Sequence, residues 1–151
     1  APKIIQKNLE AAMWKATLFL ENEVKMRTPR GVYGSKGAGL QQSIKGDVIQ
    51  KGSPIVKGIV ASKSEYAMVV EKGRRPGKGI DIKNLESWVT HKFGITDPEK
   101  VRHISIIISR RAKLYGIEGV HMFENAVNEN LSKIRGFFED AGFNIVDELN
   151  K

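Results

Sequence analysis

The first 28 residues carry a single apolar stripe. Between residues 3 and 28 the apolar side chains recur in steps of three and four, the period of an amphipathic helix. Pro29 ends the pattern, because a proline pushes the residue before it toward extended geometry. We therefore predict one long helix over residues 3–28, with these residues facing the core: Ile5, Leu9, Ala12, Met13, Ala16, Phe19, Leu20 and Val24.

The next region changes from helical to alternating periodicity. Residues 30–39 include four glycines and predict a long loop. Residues 40–50, "LQQSIKGDVIQ", and 54–62, "PIVKGIVAS", are short segments rich in β-branched side chains. The Gly-Ser-Pro break between them favours an antiparallel pair of strands. Residues 66–71 fit either a third strand or a short helix, and so short a segment does not separate the two.

Helical periodicity returns in the second half of the chain. An apolar face over residues 82–93 ends at Gly94, and it holds Ile82, Leu85, Trp88, Val89 and Phe93. A second helix begins with Asp97 as its cap and Pro98 at its first position, and ends before Gly116. Its apolar stripe is predicted to be Val101, Ile104, Ile108, Ala112 and Tyr115.

A last helical segment starts at about residue 120, and we expect its end, from about residue 140 to 151, to fray. With no linker and no repeat, we predict a single domain over residues 1–151. The fold class is α+β: a long N-terminal helix, a small antiparallel sheet and C-terminal helices packed on it.

Charge is distributed unevenly along the 151 residues. The net charge is +8, but residues 118–151 contain seven acidic and three basic residues, a net of −4, so residues 1–117 carry +12. This asymmetry favours a polyanionic partner or a complementary neighbouring copy of the same chain. Cysteine is absent, which excludes disulfides and thiolate metal sites. No apolar run approaches the roughly 18 residues that span a bilayer, and the first residues lack a signal-peptide pattern.

Residues 66–81, "YAMVVEKGRRPGKGID", contain the densest positive charge. A phosphate-binding Walker loop has the pattern G-x-x-x-x-G-K-[ST], in which the hydroxyl of the final serine or threonine binds magnesium. Here Gly73, Gly77 and Lys78 have a different spacing, and Gly79 occupies the hydroxyl position. The pattern therefore argues against a nucleotide site.

The residues that could support catalysis are dispersed. His91, His103 and His121 are far apart, and only His121 and Glu124 have helical i, i+3 spacing. No serine lies in a nucleophile-elbow sequence. We predict neither an enzyme nor a cofactor or metal site. Two alternatives remain open: a small basic nucleic-acid-binding protein, and a metal-independent nuclease or toxin-like enzyme that uses a histidine.

Several short motifs occur in an order that resembles the tail-completion, or neck, family of long-tailed bacteriophages. Residues 26–44, "MRTPRGVYGSKGAGLQQSI", end a long helix in a proline motif and continue into a Leu-x-x-Ser-Ile segment. Residues 66–73, "YAMVVEKG", match a Tyr-Ala-x-x-Val-Glu-x-Gly signature. A Trp-Val helix with Lys92, Gly94 and Ile95 follows, and then a Gly-x-x-Gly-x-x-x-Phe-x-x-Ala element over residues 116–126. Arg74 stands where the family usually has threonine.

The resemblance implies a virion structural protein with head–tail joining as its role. Such subunits form a ring, often hexameric, between the tail tube and the connector or stopper of the head, with viral DNA passing through the channel. They would be made in the host cytoplasm and act in the virion, with no membrane partner. On this reading we expect contacts to neighbouring subunits, partners or DNA from Arg30, Lys36, Glu71, Lys72, Arg74, Arg75 and Lys78.

Overall fold

The computed structural model describes residues 2–30, 39–49, 51, 55–64 and 66–151. Within these residues the fold is α+β and mostly helical, as predicted. The helices are α1 (Pro2–Arg27), α2 (Leu40–Ser43), α3 (Ala67–Lys72), α4 (Ile82–Phe93), α5 (Pro98–Tyr115), α6 (Met122–Glu129) and α7 (Leu131–Leu149). The strands are β1 (Ile44–Ile49), β2 (Lys57–Ser62), β3 (Gly73–Arg74) and β4 (Ile117–Glu118).

The chain divides into two compact units. The first unit combines α1, the β1–β2 pair and the chain from Phe123 onward, which includes α7. The second unit contains α2, α3, β3, α4, α5 and β4, and ends at Met122. Each unit has its own buried residues and is described by itself below.

The long helix α1 organises the first unit. Its predicted apolar stripe is confirmed at Ala12, Ala16 and Val24, which are buried, whereas Ile5 near the start is 39% exposed. Lys25 and Arg27 lie in the last turn, where positive charge suits the negative end of the helix dipole. The stripe packs against both α7 and the β1–β2 pair, so α1 is the central element of this unit.

Strands β1 and β2 pair antiparallel, from Ile44 opposite Ser62 to Ile49 opposite Lys57. The predicted strand pair is thus confirmed for residues 44–49 and 57–62. The prediction was wrong for residues 40–43, which form the single turn α2. In this turn the Ser43 hydroxyl donates to the Leu40 carbonyl. Such local serine bonds compete with the backbone bonds of a strand. The Leu40 side chain is fully buried.

The last segment is two helices rather than one. Asn130 interrupts the helical geometry with φ −122°, and its side-chain amide donates to the Ala126 carbonyl at 2.8 Å. Beyond it α7 packs along α1, where the rings of Phe19 and Phe137 lie 5.7 Å apart. The helix runs to Leu149, so residues 142–149 are helical.

Ion pairs reinforce the first unit at the end of α1. The Arg27 guanidinium bonds Glu129 of α6 and Glu23 of its own helix. These bonds raise the pKa of Arg27, with the Glu129 contact the larger cause, and the Arg27 bond lowers the pKa of Glu23. One helix turn earlier, Glu21 accepts from Lys25 at 2.6 Å and from the Gly46 amide of β1 at 2.7 Å, and the Lys25 bond is the largest cause of its lowered pKa.

Helices α4 and α5 form the helical hairpin of the second unit, with the predicted ends. Asp81 and Asp97 cap the two helices, through bonds from the amides of Asn84 and Glu99, each 3.2 Å long. Gly94 ends α4 at φ 66°, a conformation that suits glycine. Leu85, Val89, Val101, Ser105 and Ala112 are buried.

Two members of the predicted apolar faces were assigned wrongly. Phe93 is 55% exposed and Tyr115 is 74% exposed. Each is the last residue of its helix. Phe93 packs edge-on against Trp88 at 5.7 Å, and the Arg111 guanidinium lies 5.7 Å from the Tyr115 ring.

Candidate assembly surface

The "YAMVVEKG" motif forms a short helix followed by a short strand. Of the two alternatives for residues 66–71, the structure has the helix: α3 covers Ala67–Lys72. It ends at Gly73, whose φ of 76° is available to glycine but strained for other residues. Gly73 and Arg74 then form β3, so the glycine-rich residues 73–79 begin as paired backbone.

The partner of this strand is the other glycine motif, at residues 116–119. Gly73 pairs with Glu118 and Arg74 with Ile117. The backbone contact continues from the strands into α3, since the amides of Val120 and His121 donate to the carbonyls of residues 70 and 71 at 2.7 and 3.0 Å. Two segments more than forty residues apart in sequence thus form one continuous backbone contact.

Glycine makes this close approach possible. A Cβ on Gly119 would lie 2.6 Å from the Glu71 carbonyl oxygen and 2.8 Å from the Gly73 nitrogen, closer than van der Waals contact allows. Gly116, with φ 74°, faces the Arg74 backbone in the same way. The glycines of both motifs are therefore required by the contact between them.

The basic segment, which we define as residues 72–78, is held to α5 at its far end. The Gly77 amide donates to the Lys113 carbonyl at 2.8 Å, and the Ser109 hydroxyl donates to the Ile80 carbonyl at 2.7 Å. These bonds fix the loop backbone beside the last turns of α5, while Arg75, Pro76, Gly77 and Lys78 remain exposed. The segment is therefore a positively charged surface on an anchored backbone.

The predicted contact residues differ in exposure. Lys72, Arg75 and Lys78 are exposed, whereas Glu71 and Arg74 are half-buried. Glu71, one of the predicted contact residues, is therefore only partly accessible to a partner. Arg30 is exposed beyond the end of α1, and Lys36 lies outside the described residues.

The basic segment also lies close to cations that the sequence analysis did not select. Arg110, Arg111 and Lys113 are exposed on the last turns of α5, the helix that holds Gly77. From sequence these residues look like ordinary helix-end charge. The signal that could have identified them is the density of three cations just before the glycine motif.

An apolar pocket of about 420 Å³ lies in the second unit, between α3, α4, α5 and β4. Its wall is almost entirely hydrocarbon and aromatic, and Arg111 and Asn84 supply polar side chains. The main wall residues are Tyr66, Val69, Leu85, Trp88, Ile108 and Ile117. Three of the five residues of the "YAMVV" stretch, Tyr66, Val69 and Val70, thus line this pocket, and no residue of α3 is fully buried.

Two acids near the pocket have structural partners. Asp81 caps α4, and Glu86 of the same helix lies 3.6 Å from Arg102. Glu118 of β4 is exposed as well, and the exposed cations of the basic segment and of α5 outnumber these acids.

The three histidines belong to different elements. His91 lies on α4, where its Nδ1 is 2.7 Å from the Ser87 carbonyl oxygen, and His103 is exposed on α5. His121 is half-buried before α6, with φ 54°.

Within the part of the chain that the structure describes, no helix has the length and apolar character to cross a bilayer.

Comparison with known proteins gave no match to a family model, to a curated protein or to a solved structure. The resemblance to the tail-completion family therefore depends on the motifs of the chain itself.

Proposed function

We propose that this chain is a virion structural protein that joins the tail of a long-tailed bacteriophage to its head. In this role it forms a ring, hexameric by resemblance, as a neck or tail-completion (tail terminator) subunit. The ring contacts the connector or stopper on one side and the tail tube on the other, around the DNA channel. The basic segment supplies the contacts to neighbouring proteins or to the DNA.

The observation that carries the proposal is the pairing of the two glycine motifs. The resemblance was recognised from separate short motifs, and two of them, at residues 66–73 and 116–126, share one backbone contact through β3 and β4. Glycines at 73, 116 and 119 have the same structural reason to be there. Motifs that belong to one structural element support a common origin more strongly than motifs that are scattered.

The anchored basic segment supports an assembly role over a catalytic one. Its exposed cations lie on backbone held by the Gly77–Lys113 bond, an arrangement that presents charge on a fixed backbone. Preorganised surfaces lose less conformational entropy when they bind a partner.

The test is an infection in which the gene is disrupted. We expect filled heads and separate tails, seen by negative-stain microscopy, and rescue by the wild-type gene. The double variant Arg75→Glu with Lys78→Glu should fail to rescue, because it reverses two exposed charges of the basic segment and leaves Arg74 in its strand. Lys92→Glu with Lys100→Glu, the same charge change on exposed residues of α4 and α5, should rescue. Normal particles from the disrupted gene would rule the proposal out.

A second candidate function, binding of nucleic acid as a polyanion, is favoured by the same exposed cations together with those of α5. Each phosphate contact contributes about 0.9 to the slope of log K against log salt concentration. Under this alternative, Arg75→Glu with Lys78→Glu should lower the slope for duplex DNA by about 2. An unchanged slope would show that these residues do not bind phosphates.

A further inference from the structure

The end of α7 presents an apolar face that its own chain leaves exposed. Phe143 is 71% exposed, Val146 54% and Leu149 48%. They follow one another in steps of three, so they lie on adjoining parts of one helical face. Exposed side chains of this size at regular spacing favour a binding surface.

Carboxylates surround the aromatic ring on that face. Glu139 and Asp140 precede Phe143 by four and three residues, and Asp147 follows it by four. Residues at these spacings are neighbours on a helix surface, so the ring is bordered by three negative charges. Residues 139–151 contain four acidic residues and one basic residue.

The pocket of the second unit has the complementary properties. It is an apolar cavity of about 420 Å³, within the range of about 300–1,000 Å³ that is typical of binding pockets. Arg111 is on its wall, Arg110 and Lys113 are exposed on the same helix, and the basic segment is bonded to that helix at Gly77. A ring bordered by carboxylates matches a cavity bordered by cations.

We infer that the pocket binds the end of α7 from a second copy of this chain, with Phe143 inserted and Asp140 and Asp147 facing the cations of α5. This inference deepens the proposed ring assembly and rests on it. Pocket and helix end are different surfaces of one chain, so a copy can bind one neighbour through its pocket and another through its helix end, which is a head-to-tail contact. Repetition of such a contact closes a ring if the rotation permits, which is the assembly that the proposed function requires.

Trp88 is a built-in reporter of this contact, because it lines the pocket. The chain has two tryptophans, and Trp14 belongs to α1 of the other unit. In a Trp14→Phe background, fluorescence therefore reports on the pocket alone. We expect Trp88 emission to shift with protein concentration, in parallel with the sedimentation coefficient. A synthetic peptide of residues 139–151 should produce the same shift.

Two pairs of variants test the two sides of the contact. Phe143→Asp should weaken association by roughly tenfold or more, as loss of an aromatic anchor does. Leu131→Asp, a matched change at an exposed apolar residue at the start of α7, should leave it unchanged. On the pocket side Arg111→Glu should weaken association, and Lys100→Glu, at the far end of α5, should not. Circular dichroism and the melting temperature show that each variant is folded.

Mixing the two defective variants distinguishes this contact from any other. The Phe143→Asp chain retains an intact pocket, and the Arg111→Glu chain retains an intact helix end. Together they should form a dimer with one productive contact and no ring, although each alone associates more weakly than the wild-type chain. Combining Arg111→Glu with Asp147→Lys in one chain should restore part of the association.

The inference is overturned if Trp88 emission responds neither to protein concentration nor to the peptide. It is overturned equally if Phe143→Asp and Leu131→Asp associate alike, if the mixture stays monomeric, or if only nucleic acid or another tail protein changes Trp88 emission. If rings form but Trp88 emission does not respond, the inferred contact is wrong and the proposed function stands. If Trp88 emission reports self-association but disruption of the gene leaves infection normal, the inferred contact stands and the proposed function is wrong.

Discussion

At the scale of single residues, the backbone geometry requires glycine at three positions. Gly73 and Gly116 have positive φ, and Gly119 lies against the backbone of residues 71–73. From the sequence, these glycines were parts of two separate motifs, and nothing in the local pattern indicated that they meet. Backbone contact between distant segments depends on the tertiary fold, which is why sequence reasoning found the residues but missed their relation.

The close approach at Gly119 gives a stability prediction. Gly119→Ala should lower the free energy of unfolding by about 1–3 kcal/mol, because its methyl group would separate β4 from the end of α3. Gly136→Ala on α7 is the matched control, since a Cβ there meets nothing within 4 Å. That change should stabilise the protein by about 0.5–1 kcal/mol, the helix preference of alanine over glycine. Urea unfolding measures both, and equal effects would contradict the proposed contact.

Glu21 gives a prediction about pH. Its bonds to Lys25 and to the Gly46 amide hold its pKa below the ordinary value of 4.5. A carboxyl group with a lowered folded-state pKa stabilises the protein above the unfolded-state pKa, and this stabilisation is lost as pH falls through the folded-state pKa. Glu21→Gln should therefore cost about 1 kcal/mol at pH 7 and progressively less below pH 4.5.

Urea unfolding at pH 7 and at about pH 3 measures this dependence. The exposed Glu139→Gln is the control, and its effect on stability should be small at both values. If Glu21→Gln had the same effect at both pH values, the carboxylate bond to β1 would not be a source of stability.

At the scale of elements, the sequence predicted those whose signals are local. Caps at Asp97 and Pro98, the glycine stop at Gly94 and the stripe of α1 were identified because each acts within one or two turns. The α2 turn and the α6–α7 break were missed, since single side-chain bonds from Ser43 and Asn130 stabilise them. The pocket between four elements had no local signal.

The cap of α5 provides a test at this scale. Asp97→Ala should lower the free energy of unfolding by about 1 kcal/mol, because the Glu99 amide loses its acceptor. Thr96→Ala, one residue earlier, should have less than half this effect. The measurement is urea unfolding followed by circular dichroism, and equal losses from both variants would contradict the capping role.

At the scale of the whole molecule, the basic part and the acidic part of the chain each have apolar surface open to a partner. The basic part of the chain contains an apolar pocket, and the acidic part ends in a helix with an exposed aromatic ring. The sequence predicted the charge asymmetry, since charge is additive along the chain. It did not predict the pocket or the exposure of Phe143, because both depend on which helix faces remain uncovered after folding.

The central claim is that this chain completes the joint between head and tail. The most direct measurement is the titre of infectious particles after purified protein is added to a lysate that contains filled heads and free tails but lacks this chain. We predict that the wild-type protein and the Lys92→Glu, Lys100→Glu control restore the titre, and that the Arg75→Glu, Lys78→Glu protein does not. A titre that the wild-type protein leaves unchanged would contradict the account.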